Sequence, residues 1–203
     1  MQSYRSEHPN HVHQLSVCVS KHYWFTNDNI LRYQQKKLEV PLAKCGESKK
    51  NHLVHYVLRD HCSGVIYAEV CSSRDLNNLD GFLFRAWSRK EEYTFCGIPE
   101  HLTIPKTIES VFPEIKGRVS LLGVIFPKVT SGFQSGIRDI KSLESFMSFY
   151  LDKPFCELQE SMQKISRCFS SEKSRTGNES KIQLWENGIN TVNIPSESWL
   201  EIA

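Results

Sequence analysis

The sequence predicts a mixed α/β domain, and three observations carry that prediction. Two apolar, β-branched runs, NHLVHYVLRD (51–60) and SGVIYAEVCS (63–72), flank a tight polar turn, which is a hairpin signal. Over 75–93, Leu76, Leu79, Phe82, Leu83, Ala86 and Trp87 recur at helical spacing. Over 137–151, Ile140, Leu143, Phe146, Met147 and Tyr150 fall three and four apart, giving a second helix with one apolar stripe.

The remaining elements follow in order. Residues 1–35 are polar and His-rich, with an aromatic cluster at Tyr23-Trp24-Phe25. His8, His11, His13, Cys18 and His22 are metal-ligating types, but a structural zinc site usually needs two paired ligand sets. The segment therefore reads as a solvated or partner-bound arm. KKLEVPLA (36–43) reads as the first strand, HLTI (101–104) as a short strand after Gly97-Ile98-Pro99, and RVSLLGVIF (118–126) as a buried strand ended by Pro127. Asp75 is a candidate cap for the first helix. A further helix is predicted from Cys156 to Phe169, then a polar linker, SSEKSRTGNES (170–180). KIQLWENGI (181–189) and the tail SESWLEIA are expected to dock back through Trp185 and Trp199. The expected organisation is an N-terminal extension (1–35), a core (36–155) and a helical extension with a tail (156–203).

Composition bounds the function. A chain of 203 residues, 39% hydrophobic and 24% charged, can bury a core of its own. A net charge of +2 is too weak to argue for nucleic acid by itself. No apolar run reaches the length of a membrane-spanning helix, and the N-terminus lacks the apolar core of a signal peptide. Seven scattered cysteines without a CxxC pair read as reduced thiols. These features predict an intracellular, cytoplasmic protein with no membrane partner. No Gly-x-Ser-x-Gly elbow surrounds Ser63, no motif makes Cys96 a nucleophile, and no Gly-rich phosphate loop is present.

The order of landmarks carries a resemblance. Leu38-Glu39-Val40 stands at the first strand, Asp60-His61-Cys62-Ser63 at the hairpin turn, and Gly97-Ile98-Pro99 before Leu102-Thr103-Ile104-Pro105-Lys106. Gln134-Ser135-Gly136-Ile137-Arg138-Asp139 opens the last long helix. Over about residues 36–150 this resembles the catalytic core of retroviral integrases and related transposases, in the ribonuclease H-like superfamily. The 35-residue step from 104 to 139 looks like that family's Asp-35-Glu separation. The resemblance implies a mixed five-stranded sheet flanked by helices.

The resemblance also implies three carboxylates holding two Mg²⁺ or Mn²⁺ ions for phosphodiester chemistry. The matching positions here are Glu39, Ile104 and Asp139, with Glu144 as an alternative third acid. Ile104 cannot ligate a metal, so the expectation is a degenerate triad and no resident cofactor. Glu39 and Asp139 would hold Mg²⁺ or Mn²⁺ if activity remained. Asp60 and Ser63 are expected to be turn residues rather than ligands, with Asp60→Ala lowering stability by about 1 kcal/mol. Lys106, Lys128, Arg138 and Lys141 are the candidate nucleic-acid contacts. The expected role is DNA or RNA binding, or assembly with partner proteins of a mobile-element or defence system, with a homodimer possible. The alternatives are an active two-metal strand transferase or nuclease with rearranged ligands, and a pure protein-interaction module.

Overall fold

The computed structural model describes residues 6–127, 135–174, 177–189 and 191–201, with the side chains of 135–138 left aside. Its longest strand is β1 (Val12–Phe25). Leu15, Val17 and Val19 alternate there with Ser16, Cys18 and Ser20, the period-two pattern of a strand. Four further strands complete the sheet: β2 (Leu31–Tyr33), β3 (Asn51–Asp60), β4 (Ile66–Ser72) and β5 (His101–Thr103). The order is β2-β1-β3-β4, all antiparallel, and β5 runs parallel to β1. β3 fills one edge of β1; β5 lies along its start, at Val12–Gln14, and β2 along its end, at Tyr23–Phe25.

This corrects the placement of the first strand. Residues 38–41 join no ladder, and Leu42–Glu47 coil into a 3₁₀ helix. Pro41 has no N–H to give a ladder. The segment read as an arm instead supplies the central strand and β2, so 35/36 falls between β1 and its partners β3 and β5. The alternation is masked by Gln14, Ser16, Cys18 and Ser20 on its second face. RVSLLGVIF is also corrected: Ile115–Ser120 form a helix, with Ile115 and Val119 buried one turn apart. Leu121 is exposed, and Ile125 makes only an isolated parallel bridge to His101.

Seven α-helices are described: α1 (Leu79–Trp87), α2 (Lys106–Glu109), α3 (Ile115–Ser120), α4 (Ser135–Met147), α5 (Phe155–Ser170), α6 (Lys181–Gly188) and α7 (Ser198–Glu201). Asn78, not Asp75, caps α1, accepting from the Asp80 amide at 2.8 Å. The sheet is buried on both faces, making three layers. Val54, Tyr56 and Leu58 of β3 face a core with Phe82, Leu83, Trp87, Phe95, Trp185 and Trp199. Leu53 and Val57 face the opposite core, with Ile140, Leu143 and Met147 of α4 and Leu158, Met162 and Ile165 of α5.

The outer edge of β4 is closed by α5. Ser170 Oγ accepts from the Ile66 amide at 3.2 Å, and Ser166 Oγ from the Ala68 amide at 3.1 Å. Exposed strand edges invite pairing with other chains, and these serines occupy the groups such pairing would use. The tail docks as expected: the Trp185 indole donates to the Thr94 carbonyl (3.2 Å) and the Trp199 indole to the Arg118 carbonyl (3.1 Å). At the end of α6, a Cβ on Gly188 would stand 2.6 Å from the Pro9 ring, so the N-terminal segment and α6 touch backbone to ring. No described helix is long and apolar enough to cross a membrane.

Candidate functional site

The hairpin turn is built around one buried carboxylate. Asp60 accepts from the Ser63 amide and hydroxyl, both at 2.6 Å, and from the Asn10 amide at 2.9 Å. Ser63 Oγ in turn accepts from the Val65 amide at 3.2 Å. Gly64 sits at φ +82°, which an L side chain rarely adopts. Burial pushes the Asp60 carboxyl up, and the hydrogen bonds from Ser63 and Asn10 oppose that shift. The Asp60 side chain is fully buried, and its hydrogen bonds tie the turn to itself and to Asn10.

The three positions matching the catalytic acids do not meet. Glu39 is exposed and pairs with Lys21 at 2.5 Å, a hydrogen bond and charge that hold its carboxyl below the usual range. Ile104 follows β5 and packs against the core on the α1 side. Asp139 is buried on α4, on the other side of the sheet, where it accepts from Arg59 Nη1 at 2.6 Å. Lys106 and Lys141 are exposed. Lys128 and the side chain of Arg138 lie outside the described residues.

Directly opposed residues of an antiparallel pair point to the same face. The β1–β3 register pairs Gln14 with Arg59, Ser16 with Val57 and Cys18 with His55. The β1–β5 register pairs Gln14 with Thr103. The face under α4 thus carries Gln14, Ser16, Thr103, His55 and Arg59, with Asp139 above them. Lys181 comes close as well, and its Nζ donates to the Phe169 carbonyl (3.0 Å) and to Glu172 (3.1 Å). Burial lowers the Lys181 pKa, and Glu172 and Asp139 oppose that.

Glu144 makes a second polar cluster under α4. Its Oε1 accepts from Ser20 Oγ at 2.5 Å and lies 3.2 Å from His55 Nε2. Ser20 Oγ also accepts from the Tyr23 amide at 3.0 Å, within the register shift between Val19 and Trp24. Burial raises the Glu144 pKa, but the His55 and Ser20 contacts outweigh it and leave the carboxyl below its usual range. Serine and histidine both address the carboxylate rather than each other, so no nucleophile is activated. Glu144 ties α4 to the irregular middle of β1.

Arg59, His55 and Ser20 were not singled out by sequence patterning. The available signal was Arg59 itself, a cation in an otherwise apolar strand, which demands a buried partner. A separate group gathers at the start of β5, where donor atoms of His11, Glu100 and His101 lie within 4.8 Å of one another. Among the described residues it is the one trio of metal-ligating side chains that converges so closely.

Comparison with known proteins places the fold. No family model matches the chain, and no curated protein does. Among solved structures, the HTLV-2 integrase catalytic core domain in complex with magnesium, in its trimeric form, superposes with a TM-score of 0.54. The alignment is 15% identical and covers 89% of this chain and 99% of that one. The dimeric form of that domain gives a TM-score of 0.48 at 15% identity, covering 89% and 98%. An intasome of simian T-cell lymphotropic virus gives 0.49 at 12% identity, covering 95% of this chain and 61% of that one. At such identities the likeness is one of fold alone. The chain has the ribonuclease H-like fold of retroviral integrase catalytic cores.

Proposed function

We propose that this chain is an integrase-like core that keeps the scaffold without two-metal phosphodiester chemistry, and that it serves as a nucleic-acid-binding or assembly module of a mobile-element or defence system. One observation carries the reading: the Arg59 guanidinium is bonded to the Asp139 carboxylate, the only one of the three family positions buried beside the sheet. Mg²⁺ and Mn²⁺ require several hard oxygen donors around each ion. Gln14, Ser16, Thr103 and a fixed cation do not supply the negative charge that two divalent ions need. Ile104 adds none, and Glu39 is committed to Lys21 in solvent. The residues present do not fit the metal pair.

Duplex and single-stranded DNA, incubated with the chain and Mn²⁺, should remain uncut and unjoined, and Asp139→Asn should change nothing in that assay. Metal-dependent cleavage or strand transfer that Asp139→Asn abolishes would overturn the reading. Retention of DNA or RNA across a salt series separates the two forms of the role. A falling log–log slope identifies phosphate contacts, with exposed Lys106 and Lys141 as the first to substitute. A slope near zero means that phosphate contacts are absent, which favours the assembly form of the role.

A further inference from the structure

We propose that His11, Glu100 and His101, with His8 beside them, form a site for a first-row transition metal of the Zn²⁺ class. It is a centre unrelated to the family's magnesium chemistry. The backbone brings these residues together. The parallel ladder sets Val12 opposite His101, and the His101 amide donates to the His11 carbonyl at 2.9 Å. On the far side of β5, the Leu102 amide donates to the Ile125 carbonyl (3.0 Å) and the Ile125 amide to the Glu100 carbonyl (2.9 Å). Two ligands are therefore fixed from both edges. Asn10, at φ 66°, precedes the third and is pinned by Asp60 and by its own side-chain bond to the Ile98 carbonyl (3.0 Å).

The donor chemistry suits zinc better than magnesium. Two imidazoles and one carboxylate, with an open position, form a common zinc ligand set, whereas hard cations prefer oxygen alone. The imidazoles already touch: His8 stacks on His11 with ring centroids 5.1 Å apart, and His11 meets His101 edge-on at 5.0 Å. His8 Nδ1 lies 2.9 Å from the Pro9 carbonyl, so it is the protonated nitrogen. Its Nε2 faces a Glu100 oxygen at 3.3 Å. A metal-bound imidazole usually donates its second nitrogen to a carbonyl in this way. The donor–donor distance also matches the roughly 3.3 Å between ligand atoms of a tetrahedral zinc ion.

The trio must contract from its 4.8 Å envelope, and the exposed Glu100 side chain can swing by shifting its contact with His8. His11 must also adjust, because its Nδ1 accepts from the Glu7 amide at 3.0 Å. Binding either takes Nδ1 from that amide or moves the ring proton from Nε2 to Nδ1. Residues 6–8 should loosen or re-pair in both cases.

Tag-free protein stripped with a chelator and titrated with Co²⁺ tests the site. One equivalent should develop the absorption of a tetrahedral or five-coordinate ion, Zn²⁺ should displace it, and Zn²⁺ should raise the melting temperature. Glu100→Gln and His101→Gln should each weaken Co²⁺ binding about tenfold or more. His22→Gln, at the other end of β1, should leave it unchanged. No stoichiometric binding would overturn the proposal, as would equal affinity in Glu100→Gln and His101→Gln or an equal loss in His22→Gln. Glu100→Gln changes an exposed side chain, so the test does not depend on a variant that perturbs the core.

Discussion

Asp60 shows how much one side chain can organise. Its carboxylate holds three donors, the Ser63 amide, the Ser63 hydroxyl and the Asn10 amide. Removing it strands buried donors at about 1–3 kcal/mol each. Asp60→Ala should therefore cost about 3 kcal/mol or more in urea unfolding, well above the loss of a single cap-type bond. Asp60→Asn, which keeps an acceptor, should cost less. Asp60→Ala should also weaken Co²⁺ binding, because Asn10 and the adjoining His11 lose their anchor. The role of Asp60 was legible from the sequence, since an Asp-x-x-Ser turn between apolar runs has few other uses. The partner of Arg59 was not: pairing it with Asp139 needs a contact across 80 residues, and no local pattern records that.

At the scale of elements, β3, β4, α4 and α5 stand close to where periodicity put them, because their apolar residues face packed layers. Two elements escaped. β1 hides its alternation because its second face meets polar partners such as Glu144 rather than a greasy helix. α3 reads as a strand because Val119, Leu121, Leu122, Val124, Ile125 and Phe126 crowd together, although Leu121 and Ile125 end up exposed. The joint between α4 and the sheet can be tested with a double-mutant cycle on Arg59 and Asp139. Each single change to an apolar residue of similar size should cost about 3–5 kcal/mol by taking from a buried charge its bonded counter-ion. The double change should recover most of that loss. Additive losses would mean that the two side chains stabilise independently.

For the whole molecule, acid is the informative stress. His13 sits fully buried between the sheet and the α1 layer, stacked on Phe95 at 5.1 Å and accepting from the Trp87 indole at 3.1 Å. Burial, with Lys90 nearby, pushes its pKa down to about 3. The unfolded chain takes up a proton near pH 6.5 that the folded chain refuses until about pH 3, so stability falls across that window as pH drops. Glu144 adds to the loss as pH falls below its unfolded value near 4.5, because its folded pKa is depressed. Unfolding free energy measured from pH 7 to pH 4 should decline steadily. His13→Gln should flatten the upper part of that decline even if it lowers stability at pH 7. The docking of Trp185 and Trp199 was legible from the sequence, since isolated tryptophans in a polar tail need a surface to cover them. The surface they chose, beside β1 and α1, was not.

The contact between Gly188 and Pro9 sets an order of events on the ribosome. The central strand is made before its neighbours at 51–60 and 101–103, and the residue lying against Pro9 comes only at position 188. A nascent chain can zip the β3–β4 hairpin early, but the start of β1 keeps one edge unpaired until β5 has been made. Such late closure favours slow folding and a need for chaperone cover during synthesis. Substituting a bulkier residue at 188 would then be felt in soluble yield, because the last step to form would lose the gap that Pro9 fills.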